Sequence, residues 1–163
     1  MSDSQLVMQE DDHQKILAII QRLAKDASAK SIFIVDKNGQ LIAEAGTMRG
    51  VDTTSIASLT AGNVAATSGI ARLIGEDEFP TQFHQGASDN LYTAIIASRI
   101  ILVIIFDERS SLGLVRLRVK KWGLELSRIF EEMQKKAEAG NATPGSSPFQ
   151  EITDDDIDNL FSD

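Results

Sequence analysis

Apolar positions recur along the chain with two periodicities, which divide it into helices and strands. Spacings of three and four residues predict three amphipathic helices, at 12–27, 53–74 and 110–138. Short runs rich in β-branched and aromatic residues predict five strands, at 32–35, 41–43, 79–86, 91–97 and 100–106. Helix caps are available at Asp11 or Asp12 for the first helix and at 52–55 for the second. The predicted element order is therefore α-β-β-α-β-β-β-α.

The connections between strands predict how the sheet is built. The run 37–39 (Lys-Asn-Gly) carries the Asn-Gly signal of a tight hairpin, and only Ser98 and Arg99 separate the last two strands. Connections this short join antiparallel neighbours. Strands 32–35 and 100–106 are apolar at consecutive positions, which indicates that both of their faces are covered. We predict an α+β fold: a five-stranded antiparallel sheet sandwiched by helices, the middle helix on one face and the two terminal helices on the other.

Length and charge divide the chain into one body and two ends. A chain of 163 residues suits one domain with tails. We place a flexible acidic N-terminus at 1–11, the domain at 12–138, a flexible linker at 139–148 and an acidic amphipathic docking segment at 149–163. The 16 basic residues all lie between Lys15 and Lys136, so the two ends produce the net charge of −8 and the middle of the chain is slightly positive.

Composition also excludes several classes of partner and compartment. A net negative charge disfavours nucleic acid or an anionic membrane as the main partner, because both reward clustered lysine and arginine. The longest apolar run, at 100–106, is too short for membrane insertion, and no signal peptide is visible, so we expect a cytoplasmic protein. The sequence contains no cysteine, which excludes disulfides and thiolate sites.

The motifs of enzymes are missing from the chain. It contains no phosphate-binding loop, no dinucleotide fingerprint and no nucleophile elbow. The histidines, His13 and His84, are far apart and do not form a metal-binding spacing. We therefore predict no catalytic residue, no metal site and no cofactor.

The second helix has two contrasting faces at 100° per residue. We predict that its larger apolar face packs on the sheet, with Ile56, Leu59, Asn63, Ala66, Thr67, Ile70, Leu73 and Ile74. The opposite face carries small residues and one charge: Thr54, Ser58, Ala61, Gly62, Ala65, Gly69 and Arg72. Each glycine costs the helix about 1 kcal/mol relative to alanine. We interpret this face as a surface buried in an assembly, where small side chains let another backbone approach; the alternative is an outer side that merely tolerates small residues.

The third strand adds a second candidate interface. Pro80 confines it to an edge of the sheet, and Phe79 and Phe83 make that edge partly apolar. Such edges are covered, charged or paired with another chain. We therefore predict symmetric pairing of two copies at this dimer edge.

The C-terminal segment has the pattern of a docking helix. Ile157, Leu160 and Phe161 form an apolar stripe, and the aspartates at 154–156 fall in the first turn, where the helix dipole favours them. Two turns are too short to be stable alone, so we expect the segment to fold on a partner. The alternative is a helix folded back on its own domain.

A basic cluster near the start of the third helix is less specific. It comprises Arg116, Leu117 and Arg118, followed by Lys120 and Lys121. It can receive an acidic partner, such as an adaptor protein or the chain's own tail, or it can be a plain solvated face.

Several stretches resemble the Roadblock/dynein light chain family. They are 34–42 (IVDKNGQLI), 52–54 with 59–66 (DTT and LTAGNVAA), 74–80 (IGEDEFP), 103–107 (VIIFD), 111–118 (SLGLVRLR) and 154–161 (DDDIDNLF). The last four stretches are similar to one bacterial branch of that family, and the resemblance spans nearly the whole chain.

The resemblance implies a homodimer that acts on a small Ras-like GTPase in its GTP-bound state, in cell polarity and gliding motility at a cell pole. The paired second helices would activate hydrolysis by reorganising the partner's switch regions, without an inserted arginine finger. The tail residues Ile157, Leu160 and Phe161 would dock away from the nucleotide, and a further polarity adaptor could bind at Arg116–Arg118. A non-catalytic scaffold that localises a GTPase or another polarity protein is the alternative.

Overall fold

A computed structural model describes residues 9–141, with side chains through residue 139, and confirms the predicted element order. The elements are α1 (Glu10–Asp26), β1 (Ser31–Asp36), β2 (Leu41–Gly46), α2 (Thr53–Leu73), β3 (Thr81–Gln85), β4 (Asn90–Ile96), β5 (Ile100–Phe106) and α3 (Leu112–Asn141). Each differs from its predicted boundaries by at most three residues.

The five strands form one antiparallel sheet in the order β2-β1-β5-β4-β3, as the short connections predicted. β5 lies in the centre and pairs with both β1 and β4. Leu102 is opposite Ile34 on one side and Ala94 on the other. The β4–β5 connection is one residue longer than predicted, because Ala97 has a φ of 53° and leaves the strand.

Helices cover both faces of the sheet, which explains the unbroken apolar runs of β1 and β5. Ile34, Leu102 and Ile104 face α1 and α3, where they join a core that also contains Ile16, Ile20, Leu126 and Phe130. The alternate residues Phe33 and Val103 face α2. Since successive side chains of a strand point to opposite faces, both sets are buried and the predicted sandwich is confirmed.

The two predicted N-caps have different outcomes. Asp52 caps α2: its Oδ1 accepts hydrogen bonds from the amides of Thr54 (3.1 Å) and Ser55 (3.2 Å), and its Oδ2 accepts one from the Ser55 hydroxyl (2.9 Å). These bonds, the Ser55 hydroxyl first, lower the pKa of Asp52. At α1 the prediction is wrong. The helix begins earlier, after Gln9, which makes no side-chain cap bond.

Within residues 9–141, no helix is both long and apolar enough to cross a membrane.

Candidate functional site

α2 lies on the sheet through its small side chains, and the predicted sheet face is wrong. The buried residues are Ala57, Ala61, Val64 and Ala71. Leu59, Ile70 and Leu73 are instead 72%, 55% and 87% exposed. Ile74, Asn63 and Ala66 are also exposed, while Ile56 and Thr67 are half-buried.

The sheet beneath α2 explains this orientation. It presents large side chains to the helix, among them Phe33, Val35 and Val103. Because the interior is filled to close-packed density, large residues on one side are matched by small residues on the other. The alanines of α2 therefore face the sheet, and its leucines and isoleucines remain outside.

The β1–β2 turn accounts for the burial of Ala61, which we predicted on the side of α2 opposite the sheet. Gly39 has a φ of 93° and lies directly against α2. A Cβ added at Gly39 would be 3.4 Å from the Ser58 Cα and 3.7 Å from the Ala61 Cβ. Ala61 is therefore part of the contact between the hairpin and the helix, and this correction removes it from the candidate binding surface.

The other six residues of the predicted face are exposed together. We define the small-residue face as Thr54, Ser58, Gly62, Ala65, Gly69 and Arg72. A Cβ built at Gly62 or Gly69 would meet no atom within 4 Å, so this side of the helix is open. The Ser58 hydroxyl is internally satisfied, because it donates to the backbone carbonyl of Thr54 (3.1 Å). The small-residue face therefore exposes mainly small side chains and the helix backbone at its two glycines.

A shallow cavity of about 200 Å³ borders the small-residue face. It lies between α2, the β1–β2 turn and the loop before β3, and it is lined by Lys37, Ala61, Val64, Ala65, Ser68, Arg72, Asp77 and Glu78. Lys37 and Glu78 form an ion pair across it, with Nζ and Oε1 3.2 Å apart. Arg72 makes no ion pair with the residues that the structure describes, so its guanidinium is available at the rim.

The exposed apolar side chains on the predicted sheet face of α2 form a second surface. We define the apolar ridge as Leu59, Ala66, Ile70 and Leu73, which follow one another at helical spacing. The ridge lies toward the flank of α2 where the Thr67 hydroxyl accepts a hydrogen bond from Gln82 Nε2 of β3 (2.8 Å). The ridge therefore runs beside the edge strand.

The strand order confirms that β3 is an edge strand. Phe79 precedes the strand and is half-buried. Phe83 is 36% exposed, and its ring stacks on Phe106 with centroids 6.1 Å apart. Part of Phe83 thus belongs to the internal packing of this domain, and the role of both phenylalanines in pairing two copies stays a prediction.

Candidate chemistry elsewhere in the domain is sparse. His84 is exposed on β3. Within residues 9–141, no group of three or more histidine, aspartate or glutamate side chains is placed to hold a metal ion. Asp107 forms two hydrogen bonds with the Arg109 guanidinium, which lower the pKa of Asp107 and raise that of Arg109.

The basic cluster lies on the outer side of α3. Arg116 and Leu117 are exposed, whereas Arg118 is half-buried and its Nε has no hydrogen-bond acceptor within residues 9–141. An adaptor surface at these residues stays a prediction. The tail-docking residues Ile157, Leu160 and Phe161 lie outside the described residues.

The signal for the apolar ridge was present in the sequence but ambiguous. α2 carries large apolar residues on one side and alanines on the other, and either side can face a sheet. The large side chains on the sheet, such as Phe33, and the β1–β2 turn at Gly39 decide between them.

Comparisons with known proteins agree with this architecture. Residues 15–106 match the family model of the Roadblock/LC7 domain. MglB of Myxococcus xanthus is 62% identical, with a TM-score of 0.74 over 78% of this chain and 96% of that one. The gliding protein MglB of Thermus thermophilus is 30% identical, with a TM-score of 0.72 over the same shares.

A further solved structure, described as MglB with a tetrameric arrangement, is also 30% identical with a TM-score of 0.72, over 78% of this chain and 96% of that one. A search of curated proteins found no match. These findings confirm the resemblance inferred from the sequence, including its bacterial, MglB-type branch.

Proposed function

We propose, because this chain belongs to the Roadblock/LC7 family, that it is a homodimeric GTPase-activating protein for a bacterial Ras-like polarity GTPase of the MglA type. In this proposal the protein has no active site of its own. It changes the rate at which its partner hydrolyses GTP, in the cytoplasm and concentrated at a cell pole.

The exposed side of α2 carries the proposal. It presents the small-residue face and the apolar ridge next to each other on one helix. A solvated helix normally exposes charged and amide side chains, but the charge on this face is confined to Arg72. Contiguous exposed apolar surface of this kind marks protein–protein contacts.

We assign the two surfaces to two partners. The apolar ridge and the β3 edge lie side by side, so a second copy related by two-fold symmetry could cover both and extend the sheet. The small-residue face lies on the flank next to the β1–β2 turn. It would remain accessible in such a dimer, where the GTPase in its GTP-bound state could lie against it.

The chemistry of the small-residue face favours an indirect mechanism. Hydroxyl, methyl and backbone groups cannot supply a general base, and the one cation, Arg72, is at the rim. The dimer would therefore bind the conformation of the switch regions in which the partner's own groups orient the attacking water and stabilise charge on the phosphoryl group.

Bulk on the small-residue face tests the proposal. Ala65→Arg and Gly69→Arg should each reduce stimulated GTP turnover by the cognate GTPase at least tenfold, because a long side chain on an open, exposed position blocks close approach without disturbing the core. Single-turnover hydrolysis over a range of protein concentrations measures the effect.

Matched controls are available on other helices. Ala18→Arg on α1 and Gly113→Arg on α3 place the same side chain at exposed positions away from α2, and we expect turnover to be unchanged. Full stimulation by both α2 variants would contradict the proposal.

The alternative function is a scaffold that localises a GTPase or another polarity protein without changing its turnover. The scarcity of charged groups on the small-residue face, where only Arg72 is charged, favours it, since such a surface can bind without assisting catalysis. Binding of the GTP-bound partner with no acceleration in the same assay would select the scaffold.

The tail and the basic cluster complete the proposal. We assign residues 149–163, through Ile157, Leu160 and Phe161, to docking on the GTPase away from its nucleotide, and Arg116–Arg118 to a further polarity adaptor.

A further inference from the structure

The outer side of α3 combines exposed leucines with a ring of cations. Leu117 and Leu124 are 60% and 65% exposed. They are seven residues apart, or about 10 Å along the helix, and lie on the same side of it. We define the α3 patch as these two leucines and the basic residues around them: Arg116, Lys120, Lys121 and Arg128.

Most cations of the α3 patch form no ion pair with the described residues. Arg116 and Lys120 form no ion pair with the residues that the structure describes. Lys121 lies over the ring of Trp122, with Nζ 4.8 Å from its centroid, and Arg128 pairs with Glu125 at 3.4 Å, where both side chains are exposed. Five basic residues and one acidic residue fall within 112–128, so the patch has a strong positive excess.

The position of these cations favours an external partner over a purely local role. None of them lies in the last turn of α3, where the helix dipole would stabilise a cation. Nearby Arg118 also has a buried Nε that finds no acceptor among the residues that the structure describes. An occupant of the patch would need to be apolar and negatively charged.

The chain supplies a segment with this chemistry. Residues 149–163 contain six acidic residues and no basic residue. Their apolar residues include Ile157, Leu160 and Phe161, which match the need to cover Leu117 and Leu124. Opposite charge and shared apolar character make the two surfaces complementary.

The length of the chain permits the contact. α3 ends at Asn141, and Leu124 lies 17 residues before it, about 26 Å back along the helix axis. The 15 residues at 142–156 can span up to about 50 Å when extended, so Ile157 can reach either leucine. A tether of this length raises the local concentration of the segment to the millimolar range.

We propose that, in the free protein, residues 149–163 dock on the α3 patch of the same chain. The apolar side chains cover Leu117 and Leu124, and the aspartates face Arg116, Lys120 and Lys121. Docking hides the tail and the α3 patch from other proteins at once, so a partner that captures either one releases the other. This contact involves α3 and the tail, and it stands whether or not the partner is a GTPase.

Paramagnetic relaxation in the full-length protein tests the contact. Because the sequence has no cysteine, Ser162→Cys provides a unique attachment point for a nitroxide. We expect the amide signals of Leu117 and Leu124 to lose more than half of their intensity, while those of Leu59 and Ile70 on the opposite face keep theirs.

Charge reversal on the α3 patch, with a matched control, tests whether electrostatic attraction holds the tail there. Lys120→Glu combined with Lys121→Glu should restore the Leu117 and Leu124 signals. Lys135→Glu combined with Lys136→Glu changes the same charge at exposed positions of the same helix and should leave the broadening in place. Raising the salt to 1 M, where the screening length falls to about 3 Å, should weaken the broadening as well.

Three outcomes would overturn the proposal. The first is that the amide signals of Leu117 and Leu124 keep full intensity in the otherwise unaltered protein. The second is that the broadening is centred away from the α3 patch. The third is that broadening appears in mixtures of spin-labelled and isotope-labelled chains, which would place the tail on another chain. No GTPase is present in these experiments, so their failure would leave the proposed function standing.

Discussion

Arg72 is the charged residue of the small-residue face, and its position limits what it can do. It lies in the last turn of α2, where the helix dipole favours a cation. The residues that line the neighbouring cavity with it include Asp77 and Glu78, so its field is partly offset. A side chain in this setting is suited to attract and orient a partner rather than to enter the partner's nucleotide site.

At the residue scale, we expect Arg72→Ala to weaken binding of the GTPase by about tenfold and to leave the single-turnover rate at saturation within about twofold, because a rim charge acts mainly on association. Titration of the rate against protein concentration separates the two quantities. Arg22→Ala, an exposed arginine on α1, should change neither. Loss of hydrolysis with unchanged affinity would instead identify Arg72 as an arginine finger.

At the element scale, α2 is fixed along both flanks by different contacts. The β1–β2 turn lies against one flank at Gly39, and Gln82 of β3 bonds to Thr67 on the other. The helix axis therefore depends on two hairpins, and the exposed surfaces of α2 have a defined position relative to the sheet edge.

Two glycines with positive φ allow the cost of backbone strain to be distinguished from the cost of packing against α2. Gly39 (φ 93°) lies against α2, whereas a Cβ at Gly50 (φ 78°) would meet no atom within 4 Å. Gly50→Leu should cost about 1–2 kcal/mol from the left-handed backbone alone. Gly39→Leu should cost about 1–3 kcal/mol more, because its side chain would overpack against the helix.

Urea unfolding of both variants measures this difference. Gly39→Leu should also lower partner turnover, since it displaces α2, whereas Gly50→Leu should not. Equal stabilities of the two variants would show that the turn does not position the helix.

Elements could be predicted from the sequence because their signals are local. The apolar runs of β1 and β5 and the cap at Asp52 each lie within a few residues, and the structure confirms them. The rotation of α2 about its axis could not be predicted in the same way. The rotation depends on contacts with Phe33 and Gly39, which are distant from α2 in sequence. In addition, exposed residues of α2 such as Leu73 are as apolar as the buried ones, so hydrophobicity does not distinguish the two sides of the helix.

The same reasoning describes what could be predicted of the candidate site. Six of the seven residues predicted on the side of α2 away from the sheet are exposed together, because they share a side of one helix. Ala61 was misassigned because its burial comes from the β1–β2 turn. The apolar ridge was assigned to the core, since a single chain gives no means of distinguishing a surface that faces a sheet from one that faces a second copy.

At the scale of the whole molecule, the apolar ridge and the β3 edge should control self-association. Leu59→Glu combined with Leu73→Glu places charge where we propose that two copies meet, so the dimer should dissociate at least a hundredfold more readily. Sedimentation equilibrium measures the constant.

The control for this prediction uses leucines of similar exposure on the opposite face. Leu117→Glu combined with Leu124→Glu should leave the association constant unchanged. A dimer that survives the α2 substitutions and is lost on the α3 substitutions would move the interface to the other side of the molecule.

The central place of β5 has a consequence for biosynthesis. β1 is complete at Asp36. Its neighbour toward the centre of the sheet, β5, is complete only at Phe106. At 5–20 residues per second, the ribosome needs about 4–14 s to make the intervening segment. During that interval the nascent β1–β2 hairpin has an open, apolar edge, so an early chaperone that shields this hairpin would be expected to improve the yield of native protein.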